Sequence, residues 1–456
     1  MGTVDKLQRL SAEPRHVVAI CGGAVSGAEA AAVCAARGIA AIVIEQNPRP
    51  YGKIEDGLPR WHDKLRAQEY ARINENLAHE LIYFVPETRI GRDLDFAEVA
   101  REWGVSALLM ANGAWRDRPL PMEDAERFVG KGLIYQNAFV HWFNHYEEPN
   151  YDGPRYEVVD EAMVIGGGLA SVDVAKILNL ELYRRALRDK GHEVDIVAME
   201  HKGITATCKK LEVDPDALGV KGCTLYYRRR VKDMPVAFPK SGATEEQLRK
   251  TEAVREKMIG ILRDKFRIRV IDCHVPVGPV EEDGQLLGLR FRKTEVKDGR
   301  AVEVEGSDVE VRSGLIISSI GSVPERIEGI PSKGELYDYT NWDTGTLRGL
   351  AGVFGLGNVL TGKGNIKDSR SNSREVSELV VADYLGLGES RDSDLMEGAH
   401  AAAQARAEEL AESAIRRAKV SREKLEVIAA AIGKRWEAAG YEGDYGAWID
   451  AHRPAS

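Results

Sequence analysis

Two three-layer α/β domains followed by a helical tail are what this sequence predicts, on three observations. A short β-branched run leading through a glycine-rich loop into a helical stretch occurs twice, once near residue 20 and again near residue 165. A chain of 456 residues exceeds one ordinary core and, at ~100–200 residues per domain, calls for two or three. Beyond Gly388 the composition shifts to strong helix formers.

The background composition fits this class. Hydrophobic content of 43%, charged content of 30% and 45 glycines describe a globular α/β protein. No apolar run reaches the ~18 residues of a membrane span, and the start "MGTVDKLQRLSAEPRH" lacks an apolar signal core, so a cytoplasmic protein is expected. A net charge of −9 argues against nucleic acid as a partner. Cys21, Cys34, Cys208, Cys223 and Cys273 form no C-x-x-C pair, which excludes the common signatures of a redox disulfide, a zinc ribbon or an iron–sulfur cluster. They read as small buried hydrophobes.

The first unit opens with "HVVAI", turns through "CGGAVSG" and enters "AEAAAVCAARG". Gly22, Ala24 and Gly27 occupy the positions of G-x-G-x-x-G, with alanine in the middle. The first position allows a tight turn, the second a close approach to a pyrophosphate, and the third close packing of helix on strand. A second strand, "IAAIVIEQ", ends at Glu45, ~20 residues beyond the loop, where a carboxylate can accept hydrogen bonds from a ribose. The alternative is a plain βαβ packing turn; with Glu45 in place the sequence favours an unphosphorylated dinucleotide, FAD or NAD.

The second unit follows the strand "AMVI", and Gly166, Gly168 and Ser171 fill the same three positions. A later strand, "GCTLYY", runs into Arg228, Arg229 and Arg230 at the place where the first unit has Glu45. Guanidinium groups hold a 2′-phosphate, so this loop suits NADP. A solvated basic turn is the other reading. Within 191–221, "EVDIVAM" reads either as a strand or as the start of a helix; as a strand it would displace the arginines from beside the loop.

Between the loops, "SALLMANGAWRDRPLPM" reads as a strand leading into a crossover with Arg116 and Arg118. "NAFVHWFNHYEEPNY" is aromatic at helical spacing. His141 and His145 could share a helix face as metal ligands do, but no third ligand lies nearby in sequence. No metal is expected there, and an aromatic interdomain core is. Residues 275–318 alternate apolar and charged residues and read as antiparallel strands appended to the second domain.

Two dinucleotides in successive domains suggest hydride transfer from nicotinamide to flavin, in which the cofactors carry the chemistry and the protein aligns them and excludes water. The order of "ICGGAVSGAEAA", "YGKIEDGLPRWHDK", "IGRDLDFAEV", "LLMANGAWRDRPLP", "FVHWFNHYEEPNY", "IGGGLASVDVAKIL", "LYYRRRVKDMP" and "GVFGLGNVLTGKGNIKD", across residues 15 to about 385, resembles adrenodoxin reductase and its bacterial ferredoxin:NADP reductase relatives. It is also similar to the flavin subunit of glutamate synthase.

The resemblance implies a discontinuous FAD domain, 12–115 and 325–390, with an NADP domain, 116–324, inserted, leaving 391–456 as a helical extension. It implies FAD at Gly22, Gly23, Ala24, Ser26, Gly27 and Glu45, and at Gly357, Asn358, Gly364, Asn365 and Ile366 where the chain returns. It implies NADP at Gly166, Gly168, Leu169, Ala170, Ser171 and Val172 and at Arg228, Arg229 and Arg118, with His62 and Asp173 as catalytic, proton-handling candidates. Three departures stand out. "PRWH" replaces the family's "PDHP" around His62, Asn358 stands where the relatives have aspartate or tryptophan, and the cysteine-rich cluster domain of the glutamate synthase flavin subunits has no counterpart.

A concentration of basic residues between 184 and 232 suits an acidic ferredoxin-like iron–sulfur partner, or is a solvated face. Two further functions stay open: a flavin subunit feeding a larger redox subunit, and a nucleotide-binding regulatory protein without turnover. The tail is expected as two helices packed on the parent domain or on a second subunit, as in an oligomer, or as a docking arm.

Overall fold

The β-branched run of the first unit forms β1 (Val17–Cys21), preceded by a helix α1 (Thr3–Ser11). Every residue of β1 is buried, as expected for a parallel strand covered on both faces. The computed structural model describes residues 3–237, 239, 243–342, 344–360 and 393–453. The alanine-rich segment becomes α2 (Val25–Ala36), whose small side chains let it lie close on the sheet, and the chain continues into β2 (Ala40–Ile44). Two helices, α3 (Lys53–Asp56) and α4 (Asp63–Leu77), lead to β3 (Ile82–Val85), and β4 (Ala107–Met110) follows. Registers Val17 opposite Ala40, Val18 opposite Ala107 and Ala41 opposite Ile82 set the parallel order β3-β2-β1-β4.

The chain leaves this sheet through β5 (Arg116–Asp117) and builds the second domain from β6 (Leu133–Tyr135), α5 (Gln136–His145), β7 (Met163–Gly166) and α6 (Leu169–Asp189). "DIVAM" is helical: the Asp195 side chain accepts from the Ala198 N–H (2.7 Å) and starts α7 (Ile196–Lys202), which α8 (Ile204–Lys210) follows. That leaves β8 (Thr224–Tyr226) free to pair directly with β7, so the arginines after it keep their place beside the loop. After α9 (Glu245–Phe266) comes β9 (Arg269–Ile271). The appended antiparallel strands are β10 (His274–Glu282), β11 (Gln285–Lys297), β12 (Arg300–Glu303) and β13 (Val309–Arg312). β14 (Ile316–Ser319) completes a parallel sheet in the order β6-β14-β7-β8-β9.

The return passes through β15 (Ser322–Val323), antiparallel to β5 with Ser322 opposite Asp117. A hairpin of β16 (Ser332–Lys333) and β17 (Leu336–Tyr337) precedes β18 (Tyr339–Asn341), β19 (Thr346–Leu347) and β20 (Val353–Gly355). β20 pairs parallel with β4, Val353 opposite Leu108, so the segment "AGVFGLG" re-enters the first sheet.

Among its described residues the tail holds three helices where two are expected: α10 (Ser393–Ile415), α11 (Arg422–Ala439) and α12 (Tyr445–Ala451). Gly440, with φ +70°, stops α11, and Asp444 accepts from the Ala447 N–H (2.9 Å) to start α12. Their apolar faces are covered by the first domain: Ala407, Leu410, Ala411, Ile432 and Trp436 share one core with β1–β4. His400, buried on α10, bonds Glu29 of α2 and Glu69 of α4 through its two ring nitrogens, each at 2.6 Å. Burial disfavours its charge, but the two carboxylates outweigh that and raise its pKa. Among the described residues, no helix is long and apolar enough to cross a membrane.

Candidate functional site

The carboxyl ends of β1, β2, β4 and β20 open onto one cavity of about 680 Å³, the crevice where doubly wound sheets bind ligands. Gly22 turns the chain out of β1 with φ +99°, and a Cβ there would lie 2.6 Å from the Ala111 carbonyl oxygen. At Gly27 a Cβ would lie 1.8 Å from the Gly22 oxygen, so only glycine lets α2 start this close to the strand. The methyl of Ala24, the departure in the motif, is met by Gly52, where a Cβ would come within 3.0 Å of it. No side chain caps α2 at Ala24, which leaves its first-turn amides and positive dipole end toward the cavity lined by Ala24, Val25 and Ser26.

Glu45 lines the same cavity and is 4% exposed. Its carboxylate accepts from the Gly23 N–H (2.8 Å) and the Asn47 N–H (2.9 Å), which leaves lone pairs for two further donors such as ribose hydroxyls. Burial pushes its pKa up to about 7 against the pull of these backbone bonds. Asn358 reaches the cavity from the segment after β20, and Gly357 beside it packs on α2: a Cβ there would lie 2.2 Å from Ser26 Oγ. Gly364, Asn365 and Ile366 lie outside the described residues.

The second loop differs in what it leaves open. A Cβ at Gly166 would strike the Ser319 oxygen at 2.2 Å, whereas one at Gly168 would meet nothing within 4 Å. Gly168 begins α6 without a side-chain cap, and Ala170 is exposed. Ser171 and Val172, expected at the nucleotide, are both fully buried; both amides bond the Gly168 oxygen (3.1 and 3.2 Å), and the Ser171 hydroxyl donates to it as well (2.6 Å). The loop therefore offers Gly168, Leu169 and Ala170. Leu169 also forms part of the wall of the first cavity, so the start of α6 abuts the space bounded by Gly22 and Glu45.

Tyr227 packs on this loop, its ring 2.2 Å from where a Gly167 Cβ would stand, and its hydroxyl accepts from Arg229 Nε (2.9 Å). Arg228 is exposed; its backbone oxygen accepts from Thr294 Oγ1 (2.7 Å), but its guanidinium makes no hydrogen bond or ion pair among the described residues, while Arg230 is held by Asp233 at 2.7 Å. Arg118 stands elsewhere, at the crossover, donating through Nε to Glu335 (3.0 Å) and through Nη1 to the Ile320 oxygen (3.3 Å). His62 and Asp173 are both buried, 6% and 2% exposed. Neither lines the cavity; Trp61, next to His62, lies under Lys176, one turn along α6 from Asp173, at 4.8 Å.

Sequence reasoning passed over several residues of the cavity wall. Lys53, in "YGKIEDG", donates to Asn137 Oδ1 (3.2 Å) and to Ser322 Oγ (3.1 Å), tying the wall to the second domain and the crossover. Burial brings its pKa down to about 8, and burial pushes neighbouring Asp117 up to about 6. Thr88 is braced from the tail by Arg435 Nε (3.0 Å), and Asn112 to Trp115 follow β4. Asn112 to Trp115 follow the carboxyl end of a predicted strand, and Lys53 lies in a quoted motif; Thr88 carried no signal in the sequence.

No protein-family model matches the chain. It is 23% identical over 358 residues to the mitochondrial NADPH:adrenodoxin oxidoreductase of Arabidopsis thaliana, covering 70% of each chain. It is 23% identical over 382 residues to the glutamate synthase (NADPH) small chain of Mycobacterium tuberculosis, covering 82% of this chain and 63% of that protein. The solved structure of Mycobacterium tuberculosis FprA in complex with NADPH matches with a TM-score of 0.57 at 19% identity, over 91% of this chain and all of that one. The chain is similar to these oxidoreductases in sequence and has the FprA fold. The resemblance read from the motifs thus holds, and so does the expected pair of α/β domains with a helical tail.

Proposed function

We propose that the protein is an oxidoreductase that binds FAD in the first domain and NADPH against the second, passes hydride from NADPH to the flavin, and delivers electrons to a ferredoxin-type iron–sulfur protein. The observation that carries this reading is the single cavity walled both by the first loop with Glu45 and by Leu169 at the start of the second loop's helix. Hydride transfer needs two dinucleotides to meet in a dry, aligned space. FAD supplies there the hydride-accepting and one-electron chemistry that no side chain has.

The residues present fit the two groups. Gly22 and the uncapped start of α2 take a pyrophosphate, with Gly23 and Gly27 shaping the turn, and Glu45 orients a ribose. Asn358 offers a neutral hydrogen-bonding group, and Gly364, Asn365 and Ile366 are proposed to follow it against the flavin. The open space at Gly168 and the amides of Leu169 and Ala170 take the NADPH pyrophosphate, and Arg228 and Arg229 hold its 2′-phosphate. Lys53 holds a positive charge at the cavity wall, Leu169 excludes water, and His62 and Asp173 are proposed to handle the proton. The crossover at β5 and β15 supports domain boundaries near 115 and 325. A cytoplasmic location belongs to the same reading.

The acceptor would dock on basic residues of α6 to α8. Arg184, Lys221 and Arg230 are engaged in ion pairs, so the exposed charges available include Arg185, Arg188, Lys190, Lys202, Lys209 and Lys210. Reduction of a ferredoxin at a rate indifferent to ionic strength, for every ferredoxin tried, overturns this docking. The match to the glutamate synthase small chain over 82% of this chain supports a second reading, electron input to a larger subunit. Partners recovered at low salt decide between the two. The central test is optical: purified protein should carry flavin absorbance that bleaches on anaerobic NADPH addition. A colourless protein that FAD cannot reconstitute refutes the proposal and leaves the regulatory reading.

A further inference from the structure

We propose that Asp56, His141 and His145 form a site for a divalent transition metal, best matched by zinc, at the seam between the two domains. The two histidines stand four residues apart on α5, so their imidazoles share one face, with ring centroids 4.6 Å apart. The third ligand, missing from the local sequence, is supplied by the fold: Asp56 arrives at the end of α3, 89 residues before His145. Its Oδ1 lies 3.2 Å from His145 Nε2 and 4.0 Å from His141 Nε2, and the three donor atoms all fall within 4.8 Å of one another. A tetrahedral zinc with bonds of about 2.0–2.1 Å spaces its donors roughly 3.3 Å apart. One pair already has that spacing, and side-chain rotation closes the rest.

The chemistry of the set points the same way. Two imidazoles and a carboxylate suit zinc, whereas calcium and magnesium favour oxygen donors throughout. Glu148 Oε1 lies 2.8 Å from His145 Nδ1. Without an ion both ring nitrogens of His145 donate, Nδ1 to Glu148 and Nε2 to Asp56 Oδ1 (3.2 Å); a metal takes the place of the Nε2 proton, and Glu148 accepting from Nδ1–H then gives the outer support that metal-bound histidines use. The Asp56 and His145 side chains are 17% and 11% exposed, and that of His141 47%, so an ion has an open path and a fourth position for water. Because α3 also contributes Lys53 and Ile54 to the cavity wall, a metal here would clasp that wall to α5.

The test is a zinc titration of the purified full-length protein, stripped with a chelator and read both by calorimetry and by competition with a chromogenic zinc indicator. The expected result is one equivalent bound with sub-micromolar Kd, weakened at least tenfold in His141→Ala and in Asp56→Asn, together with a zinc-dependent rise in melting temperature that His141→Ala abolishes. The exposure of His141 makes its variant a folding-neutral probe. Wild-type protein that binds no zinc overturns the proposal. So does binding of equal strength in both variants, which would place the ion elsewhere.

Discussion

Glu45→Gln tests the electrostatics of the cavity. Burial lifts the Glu45 carboxyl from 4.5 to about 7, which at 1.36 kcal/mol per tenfold change in proton affinity is roughly 3 kcal/mol. A carboxyl whose folded pKa is raised contributes stability that is complete below its unfolded value and disappears as pH rises through the folded one. Flavin-free wild type should therefore lose roughly 3 kcal/mol relative to Glu45→Gln between pH 4.5 and pH 8. Glutamine also leaves one of the Gly23 and Asn47 amides without its acceptor, a penalty of about 1–3 kcal/mol that does not depend on pH and drops out of the difference. Urea unfolding of both proteins across this range gives the curve. Ribose hydroxyls donate to the charged form, so FAD affinity of wild type should climb from pH 5 to 8 while that of the variant stays flat. Parallel stability curves, within about 0.5 kcal/mol, would refute the assignment of Glu45 as a buried, ligand-facing carboxylate.

Four further outcomes follow from the same geometry. Gly168→Ala should leave the melting temperature unchanged, since its Cβ meets nothing, yet raise KM for NADPH by intruding on the phosphate space; an unchanged KM counts against that space being a phosphate site. Arg228→Ala should raise KM for NADPH by roughly 10–100-fold and leave NADH unaffected, for loss of a charge-assisted bond of about 1.5–3 kcal/mol. Asn358→Asp should retain FAD while shifting its midpoint potential, measured by spectroelectrochemistry; an unmoved potential removes Asn358 from the flavin environment. Trp436→Ala should destabilise the first domain by about 3–5 kcal/mol, because this fully buried ring also donates from Nε1 to the Phe84 oxygen at 2.8 Å.

The two glycine loops and Glu45 were legible because their signal is local: a strand, a turn and a helix start occupy some thirty consecutive residues, Gly22 is required by its φ of +99° and Gly27 by its contact with the Gly22 oxygen. Arg228 was legible only conditionally, until the Asp195 cap made its segment a helix and left β8 beside β7. For Ser171 and Val172, motif position does not reveal that their amides already bond the Gly168 oxygen. The contacts of Lys53 and Asp56 were not legible. Their partners Asn137, Ser322 and His145 come from other elements, 84, 269 and 89 residues away, and no periodicity encodes such meetings. For the tail, amphipathic spacing announces an apolar face without naming what covers it, and here the cover is α1, α2 and β3.

That cover has a consequence for biosynthesis. Trp436 lies 352 residues after Phe84, and His400 lies 371 after Glu29. At about 5–20 residues per second, a ribosome leaves the β1–β4 sheet waiting roughly 20–70 s for the helices that shield it. The inserted domain, contiguous between β5 and β15, gathers its own core in the interval. The first domain is thus begun early and finished late, a prolonged client for chaperones, and a stop codon near residue 390 would release a sticky, unshielded sheet in place of a shortened enzyme.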